Sequence, residues 1–184
     1  MRAVSVIGFA TLVFASLANA QVPTSGNVFF GYSYYNADLS PLGRSNLNGW
    51  TASLEGKVAP WFGMVADFNQ TFGSESVAAV CNAGPPCPSS ASVSAHEYNM
   101  LFGPRLSVPV GKLRPFAEAM FGVGHVGTNG AGSDTSFATA IGGGIDYRLF
   151  RPIALRFEGD YVQTRFFGTT QGNARLSMGI VFRF

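Results

Sequence analysis

Residues 175–184 read RLSMGIVFRF and alternate without a break. Leu176, Met178, Ile180, Phe182 and Phe184 occupy one parity, and Arg175, Ser177, Gly179, Val181 and Arg183 the other. Successive side chains of an extended chain point to opposite sides, so this is a strand with one apolar face and one polar or small face. The segment before it repeats the pattern, with Ile153, Leu155, Phe157, Gly159 and Tyr161 set against Arg156, Glu158, Asp160 and Val162. The same separation recurs upstream at 137–148, 116–124, 97–105, 64–69, 50–58 and 28–35, giving eight predicted strands. Helical periodicity is found nowhere in this region.

The connections alternate as well. Those at 59–61, 108–112 and 150–152 are short, whereas those at 37–47, 73–92, 127–134 and 167–172 are mostly longer and rich in Gly, Ser, Asn and Pro. Short turns at one end and longer loops at the other predict an all-β, eight-stranded antiparallel up-and-down transmembrane β-barrel. An even strand count puts both termini at the short-turn end, which in an outer membrane is the periplasmic side.

Composition agrees with this reading. The 184 residues are 47% hydrophobic and 14% aromatic but only 12% charged, about half the charge of an ordinary globular protein. No apolar run reaches the roughly 20 residues that a membrane helix needs. A formal charge of +2 offers no basic patch for nucleic acid, so none is expected as a partner. Residues 1–20 read as a cleaved secretory signal, with Arg2 ahead of an apolar stretch and Ala18-Asn19-Ala20 as the cleavage site. The barrel domain is then 21–184. Export places Cys81 and Cys87 in an oxidising compartment, where a disulfide across the turn-forming Asn82-Ala83-Gly84-Pro85-Pro86 is expected.

Charge position decides which face meets lipid. Without Arg2 there are 21 charged residues. Thirteen lie on the polar parity: Glu55, Lys57, Asp67, Glu97, Arg105, Glu118, Asp146, Arg148, Arg156, Glu158, Asp160, Arg175 and Arg183. The rest lie in loops, turns or strand ends. The parity carrying Phe30, Leu54, Phe68, Phe102, Phe121, Ile141, Phe157 and Ile180 has no charge at mid-strand. An Arg or Lys facing lipid at mid-depth costs roughly 2–4 kcal/mol, so this parity is the lipid face and the charges line the lumen. Eight strands leave a lumen that side chains can fill, and buried charges are tolerable when paired. A salt-bridged core is therefore favoured, with a narrow ion pathway as the alternative. Inward Gly122, Gly124, Gly142 and Gly144 leave room for long charged side chains. Trp50, Phe72, Tyr98, Phe137, Tyr161 and Phe166 toward one end, and Trp61, Phe62, Tyr147, Phe182 and Phe184 toward the other, form two aromatic girdles.

The terminal segment also carries a resemblance. Residues 177–184, a polar residue, then Gly and spaced hydrophobics ending in Phe, resemble the C-terminal signal of bacterial outer-membrane barrels. The segments Phe102-Gly103-Pro104-Arg105, Arg114-Pro115-Phe116 and Gly142-Gly143-Gly144-Ile145-Asp146-Tyr147 resemble those of small OmpA- or OmpX-like barrel domains. The resemblance implies that Gly179, Phe182 and Phe184 are read by the barrel-assembly machinery. It also implies a monomer in outer-membrane lipid, with an unknown extracellular ligand as a partner of the long loops. The likeness stops at the last strand, so no peptidoglycan-binding domain is expected.

Two motifs fail on context. Residues 122–127, GVGHVG, match G-x-G-x-x-G, but no helix follows to receive a phosphate. His96 and His125, the two histidines, stand near strand ends with Glu97 and nearby serines. They lack the His-x-Ser arrangement of lipid A deacylases, so a lipid hydrolase is the lesser alternative. The expected protein is a non-enzymatic barrel without cofactor or metal, serving envelope integrity and surface interaction.

Overall fold

The computed structural model describes residues 25–38, 44–77, 91–128 and 132–184. The signal segment and both cysteines, Cys81 and Cys87, lie outside these residues. The strands are β1 Gly26–Asp38, β2 Arg44–Ala59, β3 Phe62–Val77, β4 Ala91–Ser107, β5 Leu113–Thr128, β6 Gly132–Phe150, β7 Ile153–Thr164 and β8 Gln171–Arg183. A 3-10 turn, Phe166–Gly168, lies between β7 and β8. Each strand pairs antiparallel with the next, and β1 pairs with β8, so the sheet closes as an eight-stranded barrel. Closure leaves no strand edge unpaired, the condition for a sheet to stand in lipid.

The strands run from 12 to 19 residues, more than the 9–11 that span a bilayer. The excess lies at the long-loop end: β3 continues to Val77 and β4 begins at Ala91, inside the stretch read from sequence as the loop 73–92. Ladder pairing continues there through Ser74, Glu75, Ser76, Ser92 and Ser94. Beyond the lipid both faces can be polar, so alternation fades while backbone pairing persists. At the other end the turns are tight, and register shifts between Lys57 and Ala59 and between Arg148 and Phe150 mark two of them.

The inward parity is the buried one. Phe29, Thr51, Asp67, Leu101, Arg105, Met120, Glu158 and Val181 are buried, whereas Phe30, Phe102, Phe121, Ile141 and Phe157 stand exposed on the outer face. The fold is thus apolar outside and mixed inside, the reverse of a water-soluble barrel.

Candidate functional site

The lumen has two layers. Nearer the short turns and at mid-depth it is ionic. Arg105 forks onto Glu118 (Nε to Oε2 2.6 Å), and reaches Glu55 and Glu158 at 3.3 Å each. Arg175 donates to Asp67 and Asp160 and lies 3.6 Å from Glu158. Arg156 donates to Asp146 at 2.7 and 3.1 Å. Lys57 pairs with Glu55 at 2.8 Å and Arg183 with Asp146 at 3.1 Å. These contacts join opposite walls: Arg105 on β4 reaches β2, β5 and β7, and Arg175 on β8 reaches β3 and β7. The Phe116 ring packs under Arg105 and Arg156, 4.4 and 4.7 Å from the guanidinium carbons. Of the four inward glycines only Gly142 makes room for a charged side chain, the Asp160 carboxylate. A Cβ on Gly122 would meet the backbone of Met100 and Leu101, one on Gly124 the Asn99 amide and Phe166 ring, and one on Gly144 the Phe157 carbonyl and Phe116 ring.

Twelve of the thirteen charged positions read from sequence therefore face the lumen, and eleven of them join this ion-pair network. Arg148 does not. It is exposed beside the register shift at the end of β6, where it donates to the carbonyl of Gly111 at 3.3 Å. Parity fails there because the strand has left the regular ladder. Glu97 faces the lumen but has no cation within ion-pair distance among the described residues. Its Oε1 accepts instead from Tyr35 Oη at 3.0 Å and from Asn99 Nδ2 at 3.1 Å, and Asn173 donates to Tyr35 Oη at 3.0 Å. Glu97→Gln keeps the one oxygen that accepts from both Tyr35 and Asn99 while removing the unpaired charge, so its urea midpoint in micelles does not fall. Glu97→Ala strands two buried donors and loses about 1–3 kcal/mol.

The second layer, in the long-loop half, is mixed: Tyr35, Ala37, Leu47, Leu101, Met120, Ala138, Ala140 and Val162 form an apolar cluster beside the buried polar side chains of Asn69, Thr71, Glu97, Asn99, Thr164 and Asn173. Phe166, counted in sequence among the girdle aromatics, is buried, with its ring close to Gly124 and Thr164. It caps this layer rather than facing lipid. The signal for the apolar cluster was present in the sequence, as large aliphatic residues on the inward parity.

Among the described residues the two histidines are not brought into a triad with Glu97. His96 points outward while the adjacent Glu97 points inward, as strand alternation requires. His125 stacks on Tyr98 at 4.7 Å and its Nδ1 lies 2.6 Å from Thr135 Oγ1 on the outer face. Carboxylate oxygens of Glu118, Glu158 and Asp160 come within 4.8 Å of one another, a spacing open to a hard cation. Each of the three, however, already lies against Arg105 or Arg175, so the cluster belongs to the ion-pair core.

A closed eight-stranded barrel with an apolar exterior and a filled lumen is the fold of the small outer-membrane barrels. No family model and no curated protein matches the chain. Solved structures do. Neisserial surface protein A has a TM-score of 0.66 at 14% identity, over 86% of this chain and 97% of that one. Ail, the attachment invasion locus protein of Yersinia pestis, solved with the heparin analogue sucrose octasulfate, has a TM-score of 0.59 at 13% identity, over 87% and 98%. The N-terminal barrel domain of Pseudomonas aeruginosa OprF has a TM-score of 0.51 at 12% identity, over 89% and 100%. The likeness is one of fold.

Proposed function

We propose that this chain is an integral outer-membrane protein with a closed lumen, whose role is structural and surface-presenting rather than transport. The observation that carries this is the double filling of the barrel, with guanidinium–carboxylate pairs bridging its walls below and, above, an apolar cluster with the hydrogen-bonded Glu97, Tyr35, Asn99 and Asn173, capped by Phe166. An ion passing through would have to separate paired charges and then cross Leu47, Leu101 and Met120. With the short turns on the periplasmic side, the four longer connections face the exterior and present the surface available to a ligand.

The chemistry of that surface is neutral. Residues 39–43, 78–90 and 129–131 contain no Asp, Glu, Lys or Arg, and the charges flanking the four connections are Arg44 and Arg165 against Asp38, Glu75 and Asp134. A sulfated sugar of the kind bound to Ail calls for clustered cations, which this end lacks. Contacts through Ser, Asn, Gly and Pro backbone and amides fit it better. Planar-bilayer recording of the refolded protein is the test: no unitary conductance steps are expected, and regular steps would replace this reading with the narrow pore. Heat-modifiable migration of the outer-membrane fraction tests the location.

A further inference from the structure

The two ends of the barrel differ in charge. Lys112 and Arg151 in the short turns, and Arg148 at the end of β6, are exposed, and Arg114 at the start of β5 is half-buried. None has an ion-pair partner among the described residues. Arg114 donates to the neutral acceptors Pro60 O (3.2 Å) and Ser107 Oγ (2.7 Å), and Arg148 to Gly111 O. The acids of the adjoining strand ends, Glu55 and Asp146, are buried in the lumen and satisfied by Lys57, Arg105, Arg156 and Arg183. Phe184 belongs to the same end, where its backbone pairs with Gly26. The turns are held side by side, because the backbone N–H of Arg148 donates to Lys112 O at 2.9 Å. Around these cations stand exposed Val110, Leu113, Leu149 and Phe150.

From this juxtaposition we infer that the short-turn rim is a binding surface for anionic phospholipid headgroups, resting on the membrane reading above. Cations beside exposed aliphatic and aromatic side chains match a monolayer boundary, with phosphate at one level and acyl chain at the next. Water alone would leave the apolar collar uncovered. The opposite end, with two cations against three acids around neutral loops, offers no competing attraction, so the barrel carries a charge polarity along its axis. The headgroups best served are those of phosphatidylglycerol type, which present a phosphate and no cation.

The test uses the full chain refolded into vesicles of phosphatidylcholine alone or of phosphatidylcholine doped with phosphatidylglycerol. Trp50→Phe leaves Trp61, exposed in the β2–β3 turn next to Pro60 and Arg114, as the single tryptophan. Brominated phosphatidylglycerol is expected to quench Trp61 more than its mole fraction predicts, and added salt should abolish the excess. Removing Lys112, Arg148 and Arg151 as K112Q/R148Q/R151Q should abolish it too, while K112R/R151K retains it. The phosphatidylglycerol-dependent gain in folding equilibrium constant should fall about fivefold per cation removed. Equal quenching by both brominated lipids, or an unchanged excess in the triple variant, overturns the assignment. No such excess in the native protein, together with salt-sensitive crosslinking of the rim to an acidic protein in cells, would hand the rim to a protein partner and likewise overturn it. Failure to fold into phosphatidylcholine vesicles at all would strike the membrane reading instead.

Discussion

Arg105→Met lowers the unfolding free energy by about 3–5 kcal/mol, the cost of stripping one partner from a buried ion pair. Arg105 is 1% exposed and serves three carboxylates. Their fates differ. Glu55 keeps Lys57, and Glu158 keeps Arg156 and Arg175, but Glu118 is left without a cation. R105M/E118Q should therefore recover most of the loss, because it removes the stranded charge and leaves a side chain of similar shape. Urea titration in detergent micelles, read as the shift between folded and unfolded gel bands, gives both numbers. Arg148→Met is the control: it lies outside the network and should stay within about 0.5 kcal/mol of the native protein. A cost below about 1 kcal/mol for R105M would mean that the lumen is wet enough to screen its charges, and the closed-lumen reading would go with it.

Gly179→Ala produces a barrel that folds poorly even without assembly machinery. Gly179 pairs with Gly31 where β8 meets β1, and a Cβ at 179 would fall on the carbonyl oxygen of Phe30 and the Cα of Gly31. Both obstacles are backbone, so the two strands must part for the substitution to fit. Overpacking of this kind costs about 1–3 kcal/mol for one methyl, and more for Gly179→Val. Refolding into vesicles, scored by the heat-modifiable band, should show a reduced folded fraction for Gly179→Ala and little for Gly179→Val. Normal refolding of Gly179→Ala together with failed assembly in cells would assign the glycine to signal recognition instead. Phe182 and Phe184, exposed on the outer face near the same end, obstruct nothing. Their substitution should spare refolding and slow assembly in cells.

The strand count, the antiparallel order and the inward parity of eleven paired charges were legible because lipid enforces a strict alternation that soluble proteins relax. Legibility stopped where that enforcement stops. The extensions of β3 and β4 past the bilayer read as loop, since Ser and Glu there have no face to avoid. Arg148 read as lumenal, since parity carries no notice of a shifted register. Phe166 read as interfacial, since a ring that caps a lumen and a ring that meets headgroups are the same letter near the same strand end. Which acid pairs with which base was not legible at all. Arg175 meets Asp67 from 108 residues away, and that choice belongs to the curvature of the closed sheet.

The pairing of β1 with β8 also fixes when the molecule can exist. Seven of the eight ladders join neighbours in the chain and can form as hairpins, but the eighth joins Asn27 to Arg183, so its two halves are made far apart in time. A chain made N-terminus first carries an unmatched β1 until β8 has been synthesised. Every truncation that removes β8 thus leaves two open edges rather than a smaller barrel. Pairing of β8 with β1 satisfies both edges at once.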